Sequence, residues 1–214
     1  MSESTEAIAR VLSEARLSTY RAVTADHEQA LALYMWNAEV SAAFMVPLHI
    51  CEVSTRNGVA DVLSVVYGDR WPWSAGFVRS LTDPRMGFSP TREINTVAER
   101  FETTGKVIPE LKFVFWQKLF TSRFDGRLWE PHLLAAFPHL DSALAAKHHR
   151  SVLYDDLEVV RRLRNRIAHH EPIFSRDLAS DLETICQLVA ARCGATEEWL
   201  RAKQHVSRLL DEKP

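Results

Sequence analysis

Arg164, Asn165 and His169 form an R-N-x-x-x-H pattern inside the stretch RRLRNRIAHHEPIF, Arg161–Phe174, and His170, Glu171 and Pro172 follow at once. An arginine that keeps its proton beside an imidazole that titrates near neutrality suits chemistry on a phosphodiester. The histidine would move protons while the guanidinium holds the charge on the phosphorus oxygens. The plainer alternative is a helix end at which the arginine pairs with an acidic neighbour and His169 caps carbonyls. Such short strings arise often by chance.

Apolar Val159, Val160, Leu163 and Ile167 recur at helical spacing around these residues, so the pattern lies on a helix. Pro172 cannot continue that helix and pushes the residue before it away from α geometry. The polar cluster therefore sits at a helix C-terminus, where the dipole favours cationic side chains. At about 3.6 residues per turn, Asn165 and His169 share a face, whereas Arg164 and His169 stand roughly 140° apart. The last two converge only at a distorted helix end or across an interface between two chains.

The rest of the chain reads as helix. Its 214 residues allow one large domain or two small ones, and 46% hydrophobic residues supply a substantial core. Only 7 glycines and an abundance of Ala, Leu, Arg and Glu favour helix. A net charge of −2 carries no global nucleic-acid signature, so a basic surface must be local. Cys51, Cys186 and Cys193 have no metal-ligand spacing, and their odd number argues against a disulfide framework. A reducing cytoplasm fits. The head MSESTEAIAR lacks the pattern of a signal peptide. The most apolar run, Val40–Val53, is interrupted by Pro47, His49 and Glu52 and reads as too short and polar for a bilayer.

In chain order, Thr5–Val23 forms one or two amphipathic helices with Ser13 as a cap. Asp26 and Gln29 resemble a capping box that opens a helix through Phe44. A further helix runs from about Val46 to Val66, with Pro47 in its first turn and Gly68 at its end. It carries Glu52 and Arg56 at ion-pair spacing, then Asn57. Gly58 in mid-helix suggests the close approach of another backbone or a ligand. Tyr67–Pro90 is a loop-rich insertion whose Trp71, Trp73 and Phe77 are expected to pin it to the core, the alternative being that they stack on bases. Thr91–Thr103 is helical. Pro109–Phe120 is an apolar helix with a ridge of Phe113, Phe115, Trp116 and Phe120, placed in the core or at a dimer interface. Ser122–Pro138 is a connector, and a long helix runs from Asp141 to the motif. Asp177–Arg192 and Thr196–Leu210 are two more amphipathic helices. His148, His149, His169 and His170 invite a metal reading, but no Cys, Asp or Glu completes a zinc spacing. No metal or cofactor is expected.

The stretch LRNRIAHHEPIF resembles the signature of the Abi-like proteins, an abortive-infection branch of the HEPN superfamily. LSEARLSTYRAV, ALALYMWNAEVSAAFMVPLHICEVSTRNGV, KFVFWQKLF and RLWEPHLLAAFP resemble the other family blocks in the same order, and the five together cover most of Leu12–Phe174. Thr55, Gly58 and Val114 depart from the family pattern. The resemblance implies a HEPN-type helical bundle and, in active members, a metal-independent R-x4–6-H ribonuclease motif. Here that motif is Arg164 and His169, with Asn165 as the polar residue after the arginine. Other HEPN members bind partners or nucleotides without cleaving.

The expectation is a single all-α domain over residues 1–214, a HEPN-type bundle with peripheral helices, an insertion at 67–90 and C-terminal helices at 175–214. The helices Asp26–Phe44, Val46–Val66 and Asp141–His169 should pack side by side. The expected activity is cleavage of single-stranded RNA as a toxin or phage-defence effector. Arg164, Asn165 and His169 would be catalytic, and Arg166, His170, Arg56 and Asn57 would hold the RNA backbone. The alternative is a non-catalytic HEPN module. Expected partners are RNA, a second copy of the chain, and an antitoxin or inhibitory RNA, in the cytoplasm and away from membranes.

Overall fold

The sequence reading breaks the chain at Pro47, but the helix runs through it. In the structure, a computed structural model that describes residues 3–214, α3 spans His27–Tyr67 without interruption. Met1 and Ser2, the start of the head read above, lie outside the described residues. Pro47 removes one helical hydrogen bond and crowds the preceding turn, a cost of about 3 kcal/mol. The helix survives because its buried stripe is continuous across the proline. Val40, Phe44, Pro47, Leu48, Cys51, Thr55, Val59 and Val62 all face inward at steps of three and four. Each large apolar side chain buried there contributes about 1.5–3 kcal/mol, so several together outweigh one strained turn. The two expected helices are therefore one, and the expected side-by-side trio does not exist.

The start of α3 behaves as its sequence dictates. The Asp26 carboxylate accepts the Gln29 N–H at 2.9 Å, and the Gln29 side chain accepts the Ala25 N–H at 3.2 Å. Gly68, at a φ of 83°, ends the helix. By length and composition alone α3 matches a membrane span, yet one of its faces forms the core.

The described residues are all-α, with no strand. Two N-terminal helices, α1 (Glu3–Leu12) and α2 (Glu14–Arg21), precede α3, and Ser13 caps α2 through the Arg16 N–H. The segment read as an insertion carries a single turn at Trp71–Trp73 and α4 (Ala75–Ser80). Trp71 and Phe77 are buried edge-to-face, their ring centres 5.3 Å apart, which is the expected pinning. Next come α5 (Pro90–Ala98), α6 (Thr104–Val107), α7 (Phe113–Lys118) and α8 (Glu130–Ala136). The expected Pro109–Phe120 helix shrinks to α7 because Leu111 and Lys112 are extended, and the Glu93 carboxylate of α5 accepts the Lys112 N–H at 3.1 Å. Its four aromatics are all core.

Helix α9 spans Ala146–Ala168 and starts later than expected. Asp141 instead accepts the Ala143 N–H in a local turn, and the buried His149 donates from Nε2 to the Asp141 carbonyl at 2.8 Å. Then follow α10 (Leu178–Arg192), capped by Asp177, α11 (Gly194–Lys203) and α12 (Val206–Asp211). Helices α3, α9 and α10 pack on one another as the centre of the bundle. One buried cluster runs from Tyr20 to Leu209.

Candidate functional site

The motif helix ends in a fully formed Schellman cap. His169 closes α9 with its N–H bonded to the Asn165 carbonyl at 3.0 Å. The His170 N–H bonds the Ile167 carbonyl at 3.0 Å, and the Glu171 N–H reaches back to Arg166 at 2.8 Å. The cap requires a left-handed residue, and His170 fills it at a φ of 55° where glycine is the default. A non-glycine residue there costs about 1–2 kcal/mol.

The surrounding chain holds this cap from three sides. Arg166 donates from Nε and Nη2 to the Pro172 carbonyl at 3.1 and 2.7 Å, and its Nη1 lies 3.6 Å from Glu171. Arg16 of α2 donates to the His170 carbonyl. Asn37 of α3, only 6% exposed, accepts both the Ile173 and Phe174 N–H groups through Oδ1, at 2.8 and 3.1 Å. Arg166, read from sequence as an RNA contact, is thus engaged in fastening the loop. The sequence reading missed Asn37. A lone amide in the stripe Leu33, Trp36, Val40, Phe44 was the available signal, because a buried amide needs partners.

Arg164 is half-exposed and stands between two grooves. Its Nε lies 3.8 Å from the Glu52 carboxylate, which pairs across α3 and α9 and not along α3 with Arg56 as spacing suggested. An exposed pair at that distance is weak, so the guanidinium remains free to meet an anion. On one side is an open groove of about 470 Å³ between α2, α3 and the end of α9, lined by Arg164, His170, Tyr20, Tyr34, Asn37 and Met45 among others. Burial, with Tyr34 alongside, pushes the Tyr20 hydroxyl up to about 12, so it stays a neutral donor. On the other side is a groove of about 440 Å³ lined by Arg164, Asn165, Glu52, Arg161 and the extended Leu111–Lys112 segment.

The structure therefore brings Arg164 together with Asn165 on one side and with His170 on the other. His169 is exposed at the helix end and lines neither groove. Within one chain, Arg164 and His169 do not share a cleft. Arg56 and Asn57 lie more than a turn beyond Glu52 on α3, and they line neither groove. Arg56 is half-buried with its Nε unbonded, and Asn57 is exposed. Gly58 meets side chains of Arg192 and Phe137, not a backbone or a cleft.

Glu158 holds both Arg161 and Arg162, at 2.7 and 2.8 Å, and accepts from the buried Gln117. These bonds, Arg161 foremost, hold its carboxyl down at about 2. Among the described residues no three His, Cys, Asp or Glu side chains gather into a group able to hold a metal. In comparisons with protein-family models, curated proteins and solved structures, the chain matches none.

Proposed function

We propose that this protein is a metal-independent endoribonuclease of the HEPN type, acting on single-stranded RNA as a toxin or defence effector. The observation that carries the reading is the clamped helix end, where Arg164, Asn165 and His169 reach solvent on a cap held by Arg16, Asn37 and Arg166. A purely structural helix end has no need of a strained histidine or of three separate tethers. Rigid support for exposed polar groups is what a reactive site needs.

In this reading His169 takes the proton from a ribose 2′-OH, and the RNA supplies its own nucleophile. Arg164 stabilises the charge on the pentacoordinate phosphorus, and Asn165, on the same face of α9 one turn before His169, orients that imidazole. Because Arg164 and His169 lie on different sides of α9, the site is completed by a second copy of the chain, whose motif meets the first about a two-fold axis. Met35 and Val46, exposed at 59% and 51% on one face of α3, supply apolar contact for that interface. The partners are RNA and an inhibitory antitoxin or RNA, and the setting is the cytoplasm.

The activity test is incubation of the purified protein with single-stranded RNA and with DNA of the same sequence. The reading requires cuts in RNA alone, at flexible unpaired stretches that can reach in-line geometry. Equal cutting of DNA would rule it out.

A further inference from the structure

The end of α9 presents two adjacent histidines, and only one is absorbed by the reading above. In-line displacement at phosphorus puts the attacking and leaving oxygens on opposite sides. Proton removal and proton delivery therefore need two groups. The structure separates the two imidazoles by a reversal of the backbone, with φ at −95° for His169 and 55° for His170. His170, not His169, lines the groove with Arg164. A group that shares a groove with the phosphate-binding guanidinium is placed to reach the oxygen that leaves the same phosphorus.

The conformation of His170 supports a role for its side chain. Strained residues persist where their surroundings over-determine them, and they cluster at reactive sites. Here the restraints act on the backbone around the residue, through Arg16, Arg166 and Asn37. The imidazole itself is exposed and carries no structural bond among the described residues. Glycine would satisfy the cap better, so the cap does not explain the histidine. The half-buried Tyr34 on the groove wall, backed by the buried Tyr20 ring 5.1 Å away, offers ring surface for the base of the departing nucleotide.

We propose that His170 is a second catalytic histidine, the general acid that protonates the leaving 5′-oxygen, and that the groove beside Tyr34 holds the leaving nucleotide. This rests on the ribonuclease reading. The 2′-OH proton passes to His169 as the O2′–P bond forms. The P–O5′ bond breaks, and O5′ takes the proton of the His170 imidazolium. The products are a 2′,3′-cyclic phosphate and a free 5′-OH, and exchange of one proton with water restores both imidazoles. The competing arrangement delivers that proton from the second copy's His169.

The test uses a short single-stranded RNA whose cleaved bond has been mapped, made with either the natural 5′-oxygen or a 5′-bridging sulfur at that bond. A thiolate departs without protonation. His170→Asn, which tolerates the left-handed backbone, should slow the oxygen substrate by about 10²- to 10⁴-fold. On the sulfur substrate it should return to within about tenfold of the parent, whereas His169→Ala should stay slow on both. His170→Gly, favoured by the cap, should behave like His170→Asn and melt no lower than the parent, which separates catalysis from folding. Parent-like cleavage of the oxygen substrate by His170→Asn, or equal slowing on both substrates, would overturn the proposal. If the parent protein cleaves neither substrate, the ribonuclease reading itself fails, and this inference with it.

Discussion

Removing the Asn37 side chain should loosen the motif from a distance. Its Oδ1 has two lone pairs and uses them on two buried N–H groups, those of Ile173 and Phe174, at 2.8 and 3.1 Å. Asn37→Ala leaves both donors without a partner, at about 1–3 kcal/mol each. The site borders an open groove, so water can enter and recover part of this. The expected loss is then about 2–4 kcal/mol, or roughly 5–15 °C in melting temperature for a chain of this size. Asn37→Asp keeps the acceptor and should hold the loop. The assay is hydrogen exchange of the two amides beside a urea titration. Asn37→Ala should strip their protection while the α9–α10 core stays protected, and RNA cleavage should fall because the His169–His170 cap is no longer held from α3. Unchanged exchange at Ile173 and Phe174, or a stability loss below about 1 kcal/mol, would refute the argument.

Other expectations follow from single observations. A Cβ on Gly58 meets Arg192 and Phe137 at 3.5 to 3.6 Å, an ordinary contact, so Gly58→Ala should stabilise the long helix by up to about 1 kcal/mol in a thermal melt. Glu158 titrates at about 2 in the fold against an ordinary 4.5, so its stabilisation is complete above the ordinary value and fades as pH falls towards 2. Glu158→Gln should cost about 1 kcal/mol at neutral pH, and the gap to the parent should close between pH 5 and pH 2. A gap that stays constant with pH would contradict that assignment. The protein should sediment as a dimer at micromolar concentration, and Met35→Glu with Val46→Glu should give a folded monomer without activity. A fully active monomeric parent would end the dimer proposal.

The parts of the fold legible in the sequence were those determined by neighbours within a few residues. Ser13, Asp26 and Asp177 cap their helices through their own side chains, and Pro172 marks the end of the motif region. The misread boundaries depend on distant partners. Pro47 looks like a helix start locally, and only the core that α3 buries on both sides of it keeps the helix whole. Glu93 holds the backbone at Lys112 from another helix and shortens α7. In the site, the position of Arg164, His169 and His170 at a helix end followed from Pro172 and helical spacing, but their exposure, which depends on the packing of α2 and α3 around them, did not. The tethers from Arg16 and Asn37 span more than 130 residues of sequence, where local periodicity carries no information. Arg166 was read as an RNA contact because an arginine beside the motif carries the right charge, but a free carbonyl at Pro172 lies nearer to it.

The most direct test of the central claim is the chemistry of the cut ends. Purified protein is incubated in EDTA with an end-labelled single-stranded RNA, and the products are resolved beside those of the Arg164→Lys and His169→Ala variants. Cleavage in EDTA to a 2′,3′-cyclic phosphate is expected. His169→Ala should lower the rate by about 10²- to 10⁴-fold, and Arg164→Lys should fail because a point charge cannot reproduce the guanidinium fork. Cleavage that appears only with Mg²⁺, or that persists at the parent rate in His169→Ala, would contradict the account.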